Sequence, residues 1–90
     1  MSDENRESLL EFPCEFPIKM MGRVSEDFQE TAVLLVEKHA GKVGDDAITV
    51  APSRKGNFLS VTVTIIAESQ EQLDNIYQDL TDHEEILVAL

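Results

Sequence analysis

The chain has 90 residues and a formal charge of −11, from 18 Asp and Glu against 7 Lys and Arg, with 42% hydrophobic residues. That apolar content supports a folded core and excludes a disordered acidic chain, while the length leaves room for one core only. A single cysteine excludes an internal disulfide and a cysteine zinc cage, and no apolar run is long enough to span a bilayer.

Residues 1–10 read as a polar, disordered or extended lead-in, and residues 11–90 as a single domain. The N-terminus MSDENRES lacks the basic start and apolar stretch of a signal peptide, so the expected compartment is the cytoplasm, with Cys14 a free thiol. Pro13 and Pro17 prevent a helix, and Phe16 to Val24 alternates as a strand, with Phe16, Ile18 and Met20 on one face and Lys19, Met21 and Arg23 on the other. Gly22 allows a bend or a close approach near the strand end. Ser25 is the expected N-cap of a helix running to about Ala40, with Phe28, Thr31, Ala32, Leu35, Val36 and His39 on its apolar stripe and Gly41 as C-cap.

Ala47 to Pro52 reads as an edge strand, because proline cannot donate to a ladder. Ser53-Arg54-Lys55-Gly56-Asn57 is a hairpin turn, and Phe58 to Ala67 is the strongest strand. Its apolar row (Leu59, Val61, Val63, Ile65) opposes a polar row (Ser60, Thr62, Thr64), which predicts a sheet covered on one face only. Ser69 and Gln72 form a capping box before a helix with Leu73, Ile76, Tyr77 and Leu80 on its stripe. Glu85 to Leu90 reads as a last strand, with Ile86, Val88 and Leu90 opposite Leu87 and Ala89. The order βαββαβ is the ferredoxin-like α+β sandwich: a four-stranded antiparallel sheet with both helices on one face.

Function classes narrow by subtraction. RNA-recognition modules share this element order, but Asn57, Leu59 and Thr62 stand where their stacking aromatics belong, and the net charge opposes phosphate; nucleic acid and anionic membranes are not expected partners. Cys14 has no neighbouring cation to activate it, His39 sits near a helix C-terminus, and His83 lies among Asp82, Glu84 and Glu85; none suggests a catalytic base or nucleophile. No calcium loop, His-Glu-x-x-His pair or phosphate-cradling glycine loop is present, so no metal or cofactor is expected. What remains is the open sheet face, with Lys19, Met21, Arg23, Thr49, Ser60, Thr62 and Thr64, and the basic hairpin 53–57. Either suits a protein partner or a small ligand, and either could be plain solvated surface.

Specific segments also carry a family resemblance. Leu9-Leu10-Glu11-Phe12-Pro13, Met21-Gly22, His39-Ala40, and Pro52-Ser53 with Lys55-Gly56-Asn57 and Ser60-Val61 closely resemble the YbeD-like family of small bacterial proteins. The resemblance covers nearly the whole chain after Leu9 and implies a fold similar to the ACT domains that regulate amino-acid enzymes. It carries over no catalytic residues, and it implies a genomic context near lipoate biosynthesis. By analogy with ACT domains, a ligand would meet Gly22, Arg23 and Val24 at the turn into the first helix. The expectation is therefore a non-catalytic cytoplasmic regulatory or adaptor module, monomeric or weakly homodimeric. It would bind a protein or small metabolite through Lys19, Gly22, Arg23, Val24, Ser53, Arg54, Lys55, Gly56 and Asn57. The alternative is an ACT-like homodimeric sensor of an amino acid or acyl acid.

Overall fold

The β-branched run read as the strongest strand forms β3, Phe58–Ala67. In the computed structural model, which describes residues 11–90, β3 lies between β2 (Ile48–Pro52) and β1 (Cys14–Arg23), and β4 (Val88–Ala89) flanks β1 on its other side. All three pairings are antiparallel. Helices α1 (Phe28–Ala40) and α2 (Gln70–Asp82) follow β1 and β3, which completes the ferredoxin-like order. The lead-in expected over residues 1–10 lies outside the described residues.

One face of the sheet holds the core. Ile18 and Met20 of β1 and Val61, Val63, Ile65 and Ala67 of β3 pack under Phe28, Ala32 and Val36 of α1 and Leu73, Ile76 and Leu80 of α2, all buried. β1 begins at Cys14, two residues earlier than expected, and continues through Pro17. The Lys19 N–H points toward β4, where it bonds the Leu90 carbonyl (3.1 Å). By the two-residue period, the Pro17 nitrogen points the same way, past the end of β4, where no ladder partner is required.

The two helices start differently. Ser69 caps α2 as expected, accepting the Gln72 N–H at 3.1 Å. The Gln72 side chain returns to the Glu68 N–H (2.7 Å) rather than to that of Ser69, and its amide donates to the His39 carbonyl (3.1 Å), tying the start of α2 to the end of α1. At α1 the expected cap is corrected. Ser25 lies before the helix, the N-cap position is Asp27, and no side chain caps it. The turn at Glu26 and Asp27 carries the chain from β1 to the point where Phe28, the first residue of α1, enters the core. Ser69→Ala is therefore expected to cost about 1 kcal/mol, and Ser25→Ala less than about 0.5 kcal/mol, in urea unfolding.

The last strand is also corrected. It was expected over 85–90 with Ile86, Val88 and Leu90 on one face, yet the ladder covers Val88–Ala89, with flanking bonds from Leu87 N–H to Met21 O (2.8 Å) and Leu90 N–H to Lys19 O (2.9 Å). A turn precedes it: Ile86 N–H donates to His83 O (3.1 Å) and Glu85 N–H to His83 Nδ1 (3.2 Å). The turn drops Ile86 into the core, and strand alternation starts afresh after it. Ala89 then faces inward opposite buried Met20, while Val88, opposite Met21, faces outward. Tyr77 of α2 braces this end, donating from its hydroxyl to Leu90 O (2.8 Å) and meeting Phe16 edge-on (6.5 Å between centroids).

Candidate functional site

The register fixes what the uncovered face carries. Opposite the core side of β1 stand Glu15, Pro17, Lys19, Met21 and Arg23; along β3 stand Phe58, Ser60, Thr62, Thr64 and Ile66, paired across as Arg23 with Phe58, Lys19 with Thr62 and Glu15 with Ile66. Thr49 and Ala51 of β2 and Val88 of β4 extend the same surface. Every open-face residue expected from the sequence is on it. The face is more apolar than the threonine row suggested, because Ile66, Val88 and Leu90 are exposed and Phe58 is half-buried.

At one end the two regions singled out from the sequence become one corner. The Val24 N–H donates to the Asn57 carbonyl (3.2 Å), joining the end of β1 to the hairpin. The Arg23 guanidinium lies 5.8 Å from the Phe58 ring centroid, a cation–π distance. The hairpin itself is built from Ser53, whose N–H donates to Phe58 O (2.8 Å) and whose Oγ accepts the Phe58 N–H (3.1 Å), and from Gly56 at φ 77°, a left-handed position that glycine adopts without strain. Arg54, Lys55 and Asn57 project from it, exposed. Lys19, Met21, Ala51, Phe58 and Ser60 line a shallow hollow of about 230 Å3 beside it. Three of the 7 basic residues of the chain, Arg23, Arg54 and Lys55, thus gather around one end of one face, with Lys19 at its middle.

Gly22 has a different role from the rest. It is buried under the Phe28 ring and the Glu85 carbonyl, so it serves the close approach of α1 and the β4 lead-in and offers no surface to a ligand. Beside it, Arg23, Ser25, Glu84, Glu85 and Leu87 line a cleft of about 260 Å3. An incoming carboxylate would find Arg23 there, but also two glutamates, and Glu26 and Asp27 at the start of α1 repel it further.

The helical layer is the acidic side. Its histidine is structural: His39 Nε2–H donates to Asp79 Oδ2 (2.7 Å), and Lys38 Nζ lies 3.3 Å from the same oxygen. The His39 hydrogen bond first, and Lys38 second, hold the Asp79 carboxyl below its ordinary value of 3.8. A carboxyl with a lowered folded-state pKa adds stability that is complete above its unfolded pKa and is lost as pH falls through the folded one. Asp79→Asn is therefore expected to lower the urea midpoint at pH 5 and to approach the parent chain at a pH well below the carboxyl's ordinary value. An equal gap at both pH values would show that the pair does not supply the acid sensitivity. Among the described residues no group of three or more His, Cys, Asp or Glu is placed to hold a metal ion, and no helix is long and apolar enough to cross a membrane.

Sequence reasoning missed Phe58, Ile66 and Val88 as members of the open face, and Glu15 and Asp46 at its far end. There, Glu15, Asp46, Ala47, Thr64 and Ile66 line a second hollow, of about 360 Å3. Strand parity alone would have found Glu15 and Ile66. Val88 required the turn at His83.

The strand order β2-β3-β1-β4 and the two helices on a single face define a ferredoxin-like α+β protein with one sheet surface that none of the described residues covers. The chain belongs to the DUF493 family: residues 7–90 match the model described as "Protein of unknown function (DUF493)". It is 48% identical over 87 residues to a UPF0250 protein of Neisseria gonorrhoeae, covering 97% of this chain and 96% of that one. It is 47% identical over 90 residues, the full length of both, to a UPF0250 protein of Paraburkholderia phytofirmans. The YbeD-like resemblance read from the sequence holds. Among solved structures, the solution structure of HP0495 from H. pylori superposes with a TM-score of 0.68 at 14% identity, over 90% of this chain and 85% of that one, which supports the fold.

Proposed function

We propose that this protein is a non-catalytic regulatory or adaptor module that docks a partner protein on the open face of its sheet. The observation that carries this reading is the joining of Arg23, Phe58 and the 53–57 hairpin into one basic, partly apolar corner on the uncovered side of a chain with a net charge of −11. Cations beside exposed apolar groups suit a partner patch that is apolar with acidic groups, where charge guides encounter and buried apolar area supplies affinity. The absence of catalysis is part of the proposal: His39 is held by Asp79, and His83 Nδ1 accepts a backbone N–H, so both ring systems have structural partners. An acyl acid or amino acid at the Arg23 cleft is less well supported, because Glu84 and Glu85 face the same space.

The test is site-specific photocrosslinking in cells, with a benzophenone amino acid in place of Thr62 on the open face or of Asp74 on α2. Crosslinked products are expected from position 62 and to weaken when Arg54→Glu and Lys55→Glu are added. Products from position 74 with none from position 62 would overturn the reading.

A further inference from the structure

The open face has an internal symmetry that names one partner. Lys19, Thr62 and Thr49 form a row across β1, β3 and β2. On β1, Arg23 lies four residues to one side of this row and Glu15 four to the other, and on β3, Phe58 and Ile66 do the same; beyond the two ends of β2, Ser53 opens the hairpin on the first side and a short 3-10 turn, Asp45–Ala47, stands on the second. At about 3.3 Å per residue, each end lies roughly 13 Å from the row. One end is basic and aromatic, with a hollow holding Phe58; the other is acidic and aliphatic, with a hollow holding Glu15, Asp46 and Ile66.

We propose that the open face packs on the open face of a second copy of this chain, with the strands of the two copies antiparallel about a two-fold axis lying over the Lys19–Thr62–Thr49 row. This deepens the docking reading above and rests on it. A two-fold operation of this kind keeps each strand over its counterpart and exchanges the two ends. Arg23 of each copy then meets Glu15 of the other, Phe58 meets Ile66, and the Arg54–Lys55 hairpin reaches the Asp45–Asp46 turn. Every unlike pair is made twice, as an isologous interface demands. The exposed Ile66, at 53%, gains an aromatic neighbour. Sheets in face-to-face contact sit about 10 Å apart with strands near −30°, a distance that these side chains span.

Two features make the association weak. Two ten-residue strands, β2 with five residues and β4 with two, about 4.8 Å apart, present on the order of 400 Å2, below the roughly 800 Å2 per partner of a standard stable interface. Lys19 also faces its own copy across the axis, and like charges there oppose the dimer. The expected dissociation constant is therefore in the range of tens to hundreds of micromolar.

Sedimentation equilibrium of the full chain from about 10 µM to 1 mM tests the arrangement. The parent chain is expected to reach a dimer. Arg23→Glu and Glu15→Arg should each raise the dissociation constant by about tenfold or more, since each turns two attractive contacts repulsive. Mixed in equal amounts, these two variants should associate with each other, because every facing pair is then unlike again. That mixture also shows that both variants are folded. Lys19→Leu should tighten the dimer several-fold by removing the like charge on the axis. A parent chain still monomeric at 1 mM, single reversals that leave a dimer intact, or a mixture that associates no better than its components would each overturn the self-packing. The docking reading would survive that result if position 62 still crosslinks to another protein, and would fall only if it crosslinks to nothing.

Discussion

Gly22→Ala is expected to destabilise the protein by about 3 kcal/mol or more, a large share of the roughly 5–15 kcal/mol that holds a domain folded. The measurement is the urea or thermal midpoint of the variant against the parent. Gly22 does not have positive φ, so its backbone conformation is open to alanine; the obstacle is space. A β-carbon there would overlap Phe28 Cε1 and the Glu85 carbonyl oxygen, both well inside contact distance. The Phe28 ring is 1% exposed and closed in by the core, so it cannot swing away. The Glu85 oxygen is backbone, held in the turn that feeds β4. Relief requires α1 or the β4 lead-in to shift as a body. Phe28→Leu in the same chain removes the ring but leaves the carbonyl, so the double variant should be less destabilised than the two single costs added together. Full additivity would show that the alanine is accommodated elsewhere.

The ease with which each element was read follows from how local its cause is. β3 declared itself through Val61, Thr62, Val63, Thr64 and Ile65, since alternating β-branched residues need no distant partner to be recognised. The start of α2 was equally plain, because Ser69 bonds a residue three positions on. At α1 the same logic misled. Ser25 has the right chemistry for a cap, but the helix starts where Phe28 meets the core, a tertiary event that no local motif records. In β4 the pattern of Ile86, Val88 and Leu90 was misread for a related reason: the His83 turn resets the alternation between Ile86 and Val88. The parity of a two-residue ladder is set by the strand it pairs with.

The site shows the same division. The residues of the open face on β1 and β3 followed from period two, and the basic hairpin from its composition. Their union into one corner did not, because the Val24–Asn57 hydrogen bond and the Arg23–Phe58 contact join segments more than thirty residues apart. The equal spacing of Arg23 and Glu15 about Lys19 is visible in the sequence. It acquires meaning only when the register shows Phe58 and Ile66 equally spaced about the residue paired with Lys19. Such symmetry belongs to the assembled sheet and to neither strand alone.

Phe28→Ala is expected to cost about 3–5 kcal/mol, and its pattern of damage should be uneven. The ring is the first residue of α1 and among the largest fully buried side chains. It fills the space between β1 at Gly22 and the interior, so its removal leaves a cavity bounded by backbone on one side, which collapses poorly. It also removes what holds the start of the helix. The Asp27 side chain makes no capping bond, whereas α2 keeps the Ser69 hydroxyl and the Gln72 bonds to Glu68 and His39. Amide hydrogen exchange should therefore speed up more in the first turn of α1 than in the first turn of α2, beyond the loss of global stability. Leu34→Ala, on the exposed side of the same helix at 56% exposure, should change stability by less than about 0.5 kcal/mol and serves as the internal comparison. If Phe28→Ala costs no more than Leu34→Ala, or the two first turns lose protection equally, the ring does not set the helix start and the corrected reading of α1 fails. The same variant also probes Gly22: with the ring gone, only the Glu85 carbonyl opposes a new β-carbon, and Gly22→Ala should cost visibly less than in the parent chain.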